Sequence, residues 1–379
     1  MSAQASGQVF ENGGFRPARI TSTGERIGSL ESCEVPPDAP WIVPGLIDLH
    51  VHGYGGCDPL EDLGGMSNAL ARAGTTAFQA TLFPAAPKLL GEQAAGVAAD
   101  SSVCEGARCL GTHLEGPFVN PLAAGALPSE DLAAPSVAAL REILGSATGG
   151  GRGIRTVTLA PELVGSADLI AELVRSDVRV SLGHSRANAD EASAAIKAGA
   201  VGATHLFNAM TPVHHRDLGL SGVAIMERAL FAEIIGDLVH VGARAVELAL
   251  RVHGPESLCL VSDALVGAGT GCDVFHSHGR EHSIVDGAAY YPADDTRAGD
   301  QLAGSASSQL EMVRRLTAKG VVSLEDAVTM GALAPARALG IEADCGQLGV
   351  GARADWLVLR RDDLHLLEVV VAGQSLSRG

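Results

Sequence analysis

The chain lacks most of the features that assign a function quickly. Its seven cysteines, Cys33, Cys57, Cys104, Cys109, Cys259, Cys272 and Cys345, are odd in number, scattered, and without a C-x-x-C pair. A disulfide framework or a zinc knuckle is therefore not the organising device, and a reducing compartment fits best. Basic residues are scarce: 27 against 44 acidic ones, a formal charge of −17. Nucleic acid and anionic membrane surfaces are thus excluded as general partners, although a few local cations could still hold an anionic small molecule. No apolar run reaches the length of a transmembrane helix, and Met1–Gln8 is polar with no basic-then-apolar leader. A cytoplasmic location is the expectation. There is no nucleophile elbow, P-loop or dinucleotide fingerprint, and the glycine-rich stretch 145–153 lacks P-loop order and reads as a loop. Aromatics make up only 3% of a chain that is 46% apolar, so a sizeable core must be built from aliphatic and small side chains, as in a globular enzyme.

What is present is regular alternation. Short β-branched runs at 46–52, 75–83, 107–115, 155–161, 178–184, 202–208, 230–237 and 257–263 read as strands. Between them, 66–73, 88–100, 130–145, 166–176, 188–199 and 241–253 read as helices, with Gly74 and Gly199 placed to close two of them. Eight strands alternating with helices predict an α/β fold, a (β/α)8 TIM-type barrel. Further helices are expected at 305–318 and 323–339, the second opened by the capping pattern Ser323-x-x-Asp326. The segment 266–303 is too long for a plain connection and predicts a lid or hairpin over the barrel mouth. Residues 1–43 and 344–379 are too short for cores of their own and are expected to pair into one small β-sandwich domain beside the barrel, 44–343.

Six side chains recur at the predicted strand ends, where such barrels carry their chemistry. His50 and His52 lie two apart on the first strand and so share a face. Glu115 ends the third strand before a Gly-Pro turn and is placed to bridge two ions. His184 and His205 add nitrogen donors after the fifth and sixth strands, and Asp263 closes the last. Imidazoles and carboxylates of this kind suit zinc or another first-row divalent ion. A carboxylate such as Asp263 could take the proton of a metal-bound water and pass it to a leaving amine. His113 shares a face with Glu115 and is read as a supporting residue. His276, His278 and His282 fall in the expected lid and read as solvated loop histidines. Lys197 lies on a helix, away from the strand ends where cyclic-amide hydrolases keep a bridging lysine. A barrel retained only as a scaffold would be expected to have lost some of the six.

The segments PGLIDLHVHG, HLEGPF, LGHS, THLFNAM, GDLVH, LVSDA, LAGS and APARALG, spread over nearly the whole chain, resemble the N-acetylglucosamine-6-phosphate deacetylase family of the amidohydrolase superfamily. HLEGPF and THLFNAM are specific to that family, whereas His-x-His marks the superfamily. The resemblance implies cleavage of an acetamide to acetate and a free amino sugar phosphate. It implies Glu115, His184 and His205 as holders of the main ion, with one or two ions per subunit, zinc first and iron, manganese or cobalt as substitutes. Asp263 would be the general base and then the acid. A divalent ion lowers the pKa of its water from near 16 to about 7, and the resulting hydroxide attacks the carbonyl, which His113 or His240 helps to polarise. By the same resemblance Asn208 and the Ala209 backbone contact the sugar, Arg216 grips phosphate, and His240 neighbours the substrate. Arg216 and His240 would serve the adjoining subunit's site, which implies a homodimer. One departure stands out: after HLEGPF the family commonly carries a basic run and a sugar-binding histidine, where this chain reads Pro121-Leu-Ala-Ala-Gly-Ala-Leu127. The alternative is an amidohydrolase acting on a different N-acyl amino sugar or small acylated amine.

Overall fold

The computed structural model describes residues 2–147, 153–291 and 301–376. Eight parallel strands, Leu46–Val51, Thr75–Leu82, Arg108–Glu115, Ile154–Leu159, Arg179–Leu182, Gly202–Ala203, Phe231–Ile235 and Leu258–Val261, pair in sequence order. Strand 8 returns to strand 1 through buried polar side chains. Asp48 Oδ1 accepts from the Ser262 N–H at 3.1 Å, and the Asp263 N–H donates to the His50 carbonyl at 2.8 Å. Gln309 Nε2 donates to both the Ile47 and Leu260 carbonyls, at 2.9 and 2.7 Å, stapling the two strands from below. The barrel is thereby closed, as the count of eight strands predicts.

The helices fall close to their expected places. Helix Ala189–Ala198 carries a full capping box, Asn188 with Glu191, and ends on Gly199 at φ +119°. Helix Val137–Ser146 starts later than 130 because Ser136 supplies its N-cap, the residues before it forming only a short 3-10 turn at Ser129–Asp131. Ser323 caps Asp326 as expected, and the helix it opens runs through a π-turn at Thr329–Leu333 to Ala338. Helix Gly219–Met226 was not foreseen. It is buried on several sides and so lacks the polar face that gives a helix its period.

The small β domain is a single seven-stranded sheet. Its order is Gln374–Leu376, Leu366–Val371, Trp356–Leu359, Trp41–Pro44, Gln4–Glu11, Gly14–Thr23 and Arg26–Ser32. The sheet folds back on itself: Ile27 N–H donates to the Ala352 carbonyl and Ala354 N–H to that of Glu25, at 2.9 and 2.8 Å. Val9, Ile20, Ile27, Ile42, Trp356 and Val370 fill the enclosed core, a sandwich built from both ends of the chain. We propose the division 1–43 and 344–379 against 44–343; sheet membership supports it to within a residue, since Trp41–Pro44 belongs to the small sheet and Leu46 opens the barrel.

The expected lid is a four-stranded antiparallel sheet, Val274–Ser277, Arg280–Val285, Ala288–Tyr290 and Leu302–Ser305. The part of that expectation covering 292–300, like 148–152 of the glycine-rich loop, lies outside the described residues.

Candidate metal centre

Most of the barrel strands end before the alternation predicts, among them three that precede residues of the centre. Strand 5 stops at Leu182, strand 6 at Ala203 and strand 8 at Val261. His184, His205 and Asp263 lie just beyond, all with left-handed backbone, at φ +47°, +29° and +49°. A non-glycine residue pays a steric penalty there, and such strain gathers at functional sites. Turning the backbone over aims these side chains across the barrel mouth instead of along its wall.

The six predicted residues converge; five are buried and Asp263 is half-buried. Glu115 Oε1 lies 2.9 Å from His184 Nε2 and 3.0 Å from His205 Nε2, while its Oε2 lies 3.2 Å from His52 Nε2. His50 Nε2 stands 3.2 Å from His52 Nε2, and Asp263 Oδ1 is 3.4 and 3.5 Å from the two. Glu115 is thus shared by two donor groups, one with His50 and His52, the other with His184 and His205.

Hydrogen bonding on the far side of the rings fixes what faces the centre. His184 Nδ1 lies 2.9 Å from the Ala123 carbonyl, which can only accept, so Nδ1 carries the proton. His50 Nδ1 lies 3.0 Å from Glu233 Oε2, the oxygen that also accepts the His205 backbone N–H at 3.2 Å, and is likewise the donor. In the neutral rings both Nε2 atoms therefore turn lone pairs toward other acceptors. Burial holds the His50 imidazole well below its usual pKa, keeping it neutral. Burial pushes the Glu115 carboxyl up, but the imidazoles gathered around it outweigh burial and leave it well below the usual range. Lone pairs facing a carboxylate at about 3 Å repel unless a cation lies among them. Donors held about 2.1 Å from a tetrahedral ion stand roughly 3.4 Å apart, close to the separations found. The residues fit a divalent metal.

Asp263 behaves in the opposite way to Glu115: burial, then the charges of Glu115, Glu233, Asp48 and Asp237, push its pKa well above the ordinary value. His113 does not join the centre and cannot polarise a substrate. Its Nδ1 faces the Leu49 carbonyl at 3.3 Å, its Nε2 faces Thr158 Oγ1 at 2.7 Å, and burial lowers its pKa to about 4. Since Nδ1 must donate, Thr158 donates to Nε2, Thr204 to Thr158 and Ser181 to Thr204, the last two bonds each 2.7 Å, forming an ordered polar layer beneath the ligands.

A cavity of about 380 Å³ opens over the centre, with Asn208, Ala209, His240, Asp263 and Gly304 on its walls. Ala209 has φ +49°, and Asn208 Nδ2 is spent on the carbonyls of His205 and Leu206 at 3.2 and 3.3 Å. His240, expected in the neighbouring subunit's site, lines this chain's own cavity, because Asp237 Oδ2 holds its Nδ1 at 2.6 Å and turns the ring inward. Arg216 is not on that wall: it lies exposed on the His214–Asp217 turn, its Nη1 3.1 Å from His215 Nε2. Of the lid histidines His276 and His278 are exposed, His276 with its Nε2 3.6 Å from Glu281 Oε2. His282 is buried and stacked on Phe275 at 5.0 Å, and His278 meets Phe83 edge-on at 4.5 Å. Among the described residues these three form no metal-binding group.

Glu233, Asp237, Asp48 and Phe83 were not singled out in the sequence. Glu233 lies inside an apolar strand, Phe-Ala-Glu-Ile-Ile, and a charged residue in such a run was the one available signal.

The amidohydrolase family model matches residues 41–376. The N-acetylglucosamine-6-phosphate deacetylase of Bos taurus is 35% identical over 345 residues, 88% of this chain and 82% of its own length. The Bacillus subtilis (strain 168) protein of the same name is 33% identical over 367 residues, 94% and 90% of the two chains. Among solved structures, a variant of the Mycobacterium smegmatis N-acetyl-D-glucosamine-6-phosphate deacetylase in complex with N-acetyl-D-glucosamine-6-phosphate superposes with a TM-score of 0.87 at 30% identity, covering 99% and 98% of the two chains.

Proposed function

The chain belongs to the amidohydrolase family, and from that premise we propose that it deacetylates N-acetylglucosamine 6-phosphate to glucosamine 6-phosphate and acetate. The observation that carries the reading is the posture of Glu115, with one oxygen on His184 and His205 and the other on His52, and with Asp263 beside the same His50 and His52 nitrogens under a cavity of substrate size. A bound divalent ion supplies Lewis acidity to the acetamide carbonyl and brings the pKa of water from near 16 to about 7. Glu115, His184 and His205 hold the main ion. His50, His52 and the second Glu115 oxygen offer a place for another. Zinc suits these donors first, with iron, manganese and cobalt as substitutes.

Asp263 accepts the proton of the attacking water and delivers it to the amide nitrogen as the carbon–nitrogen bond breaks. Its raised proton affinity supports the second half of that task. Asn208, the Ala209 backbone and His240 orient the sugar. Arg216 grips the phosphate as a bidentate fork. Its exposed position outside the cavity supports service in a neighbouring copy's site, and hence a homodimer. No helix among the described residues is long and apolar enough to cross a membrane. A cytoplasmic enzyme with no nucleic-acid or membrane partner fits that, the charge, and cysteines that form no disulfide among the described residues.

A second reading, deacylation of a different N-acyl amino sugar or small acylated amine, is favoured by one feature. Where the family commonly presents a basic run and a histidine, Leu127 is buried at the cavity wall and offers the sugar nothing polar. Acetate release by zinc-loaded protein, compared between N-acetylglucosamine 6-phosphate and N-acetylglucosamine, separates the two. Preference for the phosphate ester supports the first reading, and equal rates or silence on both overturn it.

A further inference from the structure

A second cavity of about 470 Å³ adjoins the first and shares His52, Phe83, Ala126 and Ala303 with it. Phe83 lies flat on the His52 ring, 4.0 Å between centroids and 17° between planes, so one aromatic face forms the threshold beside a metal ligand. Beyond it the walls are mostly apolar, including Leu60, Leu82, Pro84 and Leu89. Leu60 and Leu89 are 43% and 49% exposed, apolar surface at a mouth that nothing else in the fold accounts for. The loop forming the shared edge is pinned in place: Tyr291 Oη donates to the Ala126 carbonyl and Gln301 Nε2 to that of Gly125, both at 2.9 Å. It is the same loop in which the chain departs from the family pattern.

The direction of the substrate follows from amide geometry. The nitrogen and the acyl carbon leave a carbonyl carbon about 120° apart, the angle of a planar amide. With the amino sugar toward Asn208, Ala209 and His240, the acyl group points away from them, across Phe83 and into the second cavity. That cavity does not suit the phosphate, because among the described residues Asp58, Glu130 and Asp131 line it against one arginine, Arg280. A neutral, aliphatic occupant meets neither objection.

We propose that the second cavity is an acyl compartment, and that the protein hydrolyses amino sugar phosphates whose N-acyl chain is longer than acetyl. The proposal rests on the deacylase reading above. Its experiment compares N-acetyl- and N-butyrylglucosamine 6-phosphate on the zinc-loaded protein and on Ala85→Trp, a residue of the second cavity alone. The expected result is butyryl turnover within about tenfold of acetyl, falling by about 100-fold in Ala85→Trp while acetyl turnover, which also reports folding, moves less than about threefold. Hexanoate should also inhibit the parent protein more strongly than acetate, and lose that advantage in the variant. The compartment is overturned if acetyl is turned over but butyryl is slower by about 1000-fold or more, or if the tryptophan affects both substrates alike or neither. Silence on both substrates would instead remove the deacylase reading, and the compartment with it.

Discussion

Glu115 and Asp263 are carboxylates of one buried centre, yet their surroundings drive them apart. The imidazoles around Glu115 keep it ionised, whereas burial among other carboxylates raises the proton affinity of Asp263. Pairs of acids separated in this way take different roles. Asp263→Asn is therefore expected to lower kcat by about 100-fold to 10,000-fold, the usual worth of a positioned acid or base, while zinc content measured by mass spectrometry stays close to that of the parent. Near-normal turnover would remove Asp263 from the proton path. All six centre residues were legible in the sequence because each follows an apolar run where a barrel displays its chemistry. Glu233 was not, since its partner His50 is 183 positions away and only the closed barrel brings the two carboxylate and imidazole faces together. The resemblance suggested a substrate role for His240, but its place on this chain's own cavity wall was not legible. The Asp237 hydrogen bond that turns its ring inward is a matter of loop geometry, not of pattern.

At the scale of the element, the period of apolar residues located every barrel strand and failed at their ends. The run 202–208 reads as one strand, but only Gly202–Ala203 pairs on both sides, and positive φ at His205, Phe207 and Ala209 breaks the extension. Alternation in sequence cannot register a backbone reversal that tertiary contacts impose. Gly183 shows how tightly these ends are packed. A Cβ there would lie 2.8 Å from Thr204 Cβ and 3.0 Å from Thr158 Cγ2, stiff β-branched neighbours in the polar layer beneath His184. Gly183→Ala should push strands 5 and 6 apart and separate His184 from His205. We expect metal affinity to fall by about 10-fold to 100-fold, the range seen when support around a ligand is disturbed. Competition against a chromophoric chelator measures it, and unchanged affinity would mean that the threonine layer yields freely.

For the whole molecule, the two ends of the chain meet in a sheet that the sequence foretold only as a small β domain. The order of its strands was hidden because Trp41–Pro44 lies between partners drawn from both termini. Asp344 ties the small domain to the barrel, pairing with Arg26 of the first and, at 3.0 Å, with Arg108 of the second. Burial pushes its carboxyl up, but the two arginines outweigh burial and leave its pKa below the ordinary 3.8. A depressed carboxylate stabilises the fold above its unfolded pKa and loses that contribution as pH falls through the folded value. Because Asp344 is largely solvent-screened, Asp344→Asn should cost only about 1 kcal/mol at pH 7. Urea titrations should show that gap constant at pH 5 and above and closing below pH 3.8. A gap that widens on acidification would contradict the assigned sign.

The central claim is that converging, unprotonated ring nitrogens and a shared carboxylate make this barrel mouth a metal-dependent amide hydrolase. Its most direct test is acetate release from N-acetylglucosamine 6-phosphate before chelation, after complete metal removal, and after zinc is restored. The account predicts loss of activity in the stripped but still folded protein and its recovery with one or two zinc ions per chain. Full activity in the stripped protein would contradict it.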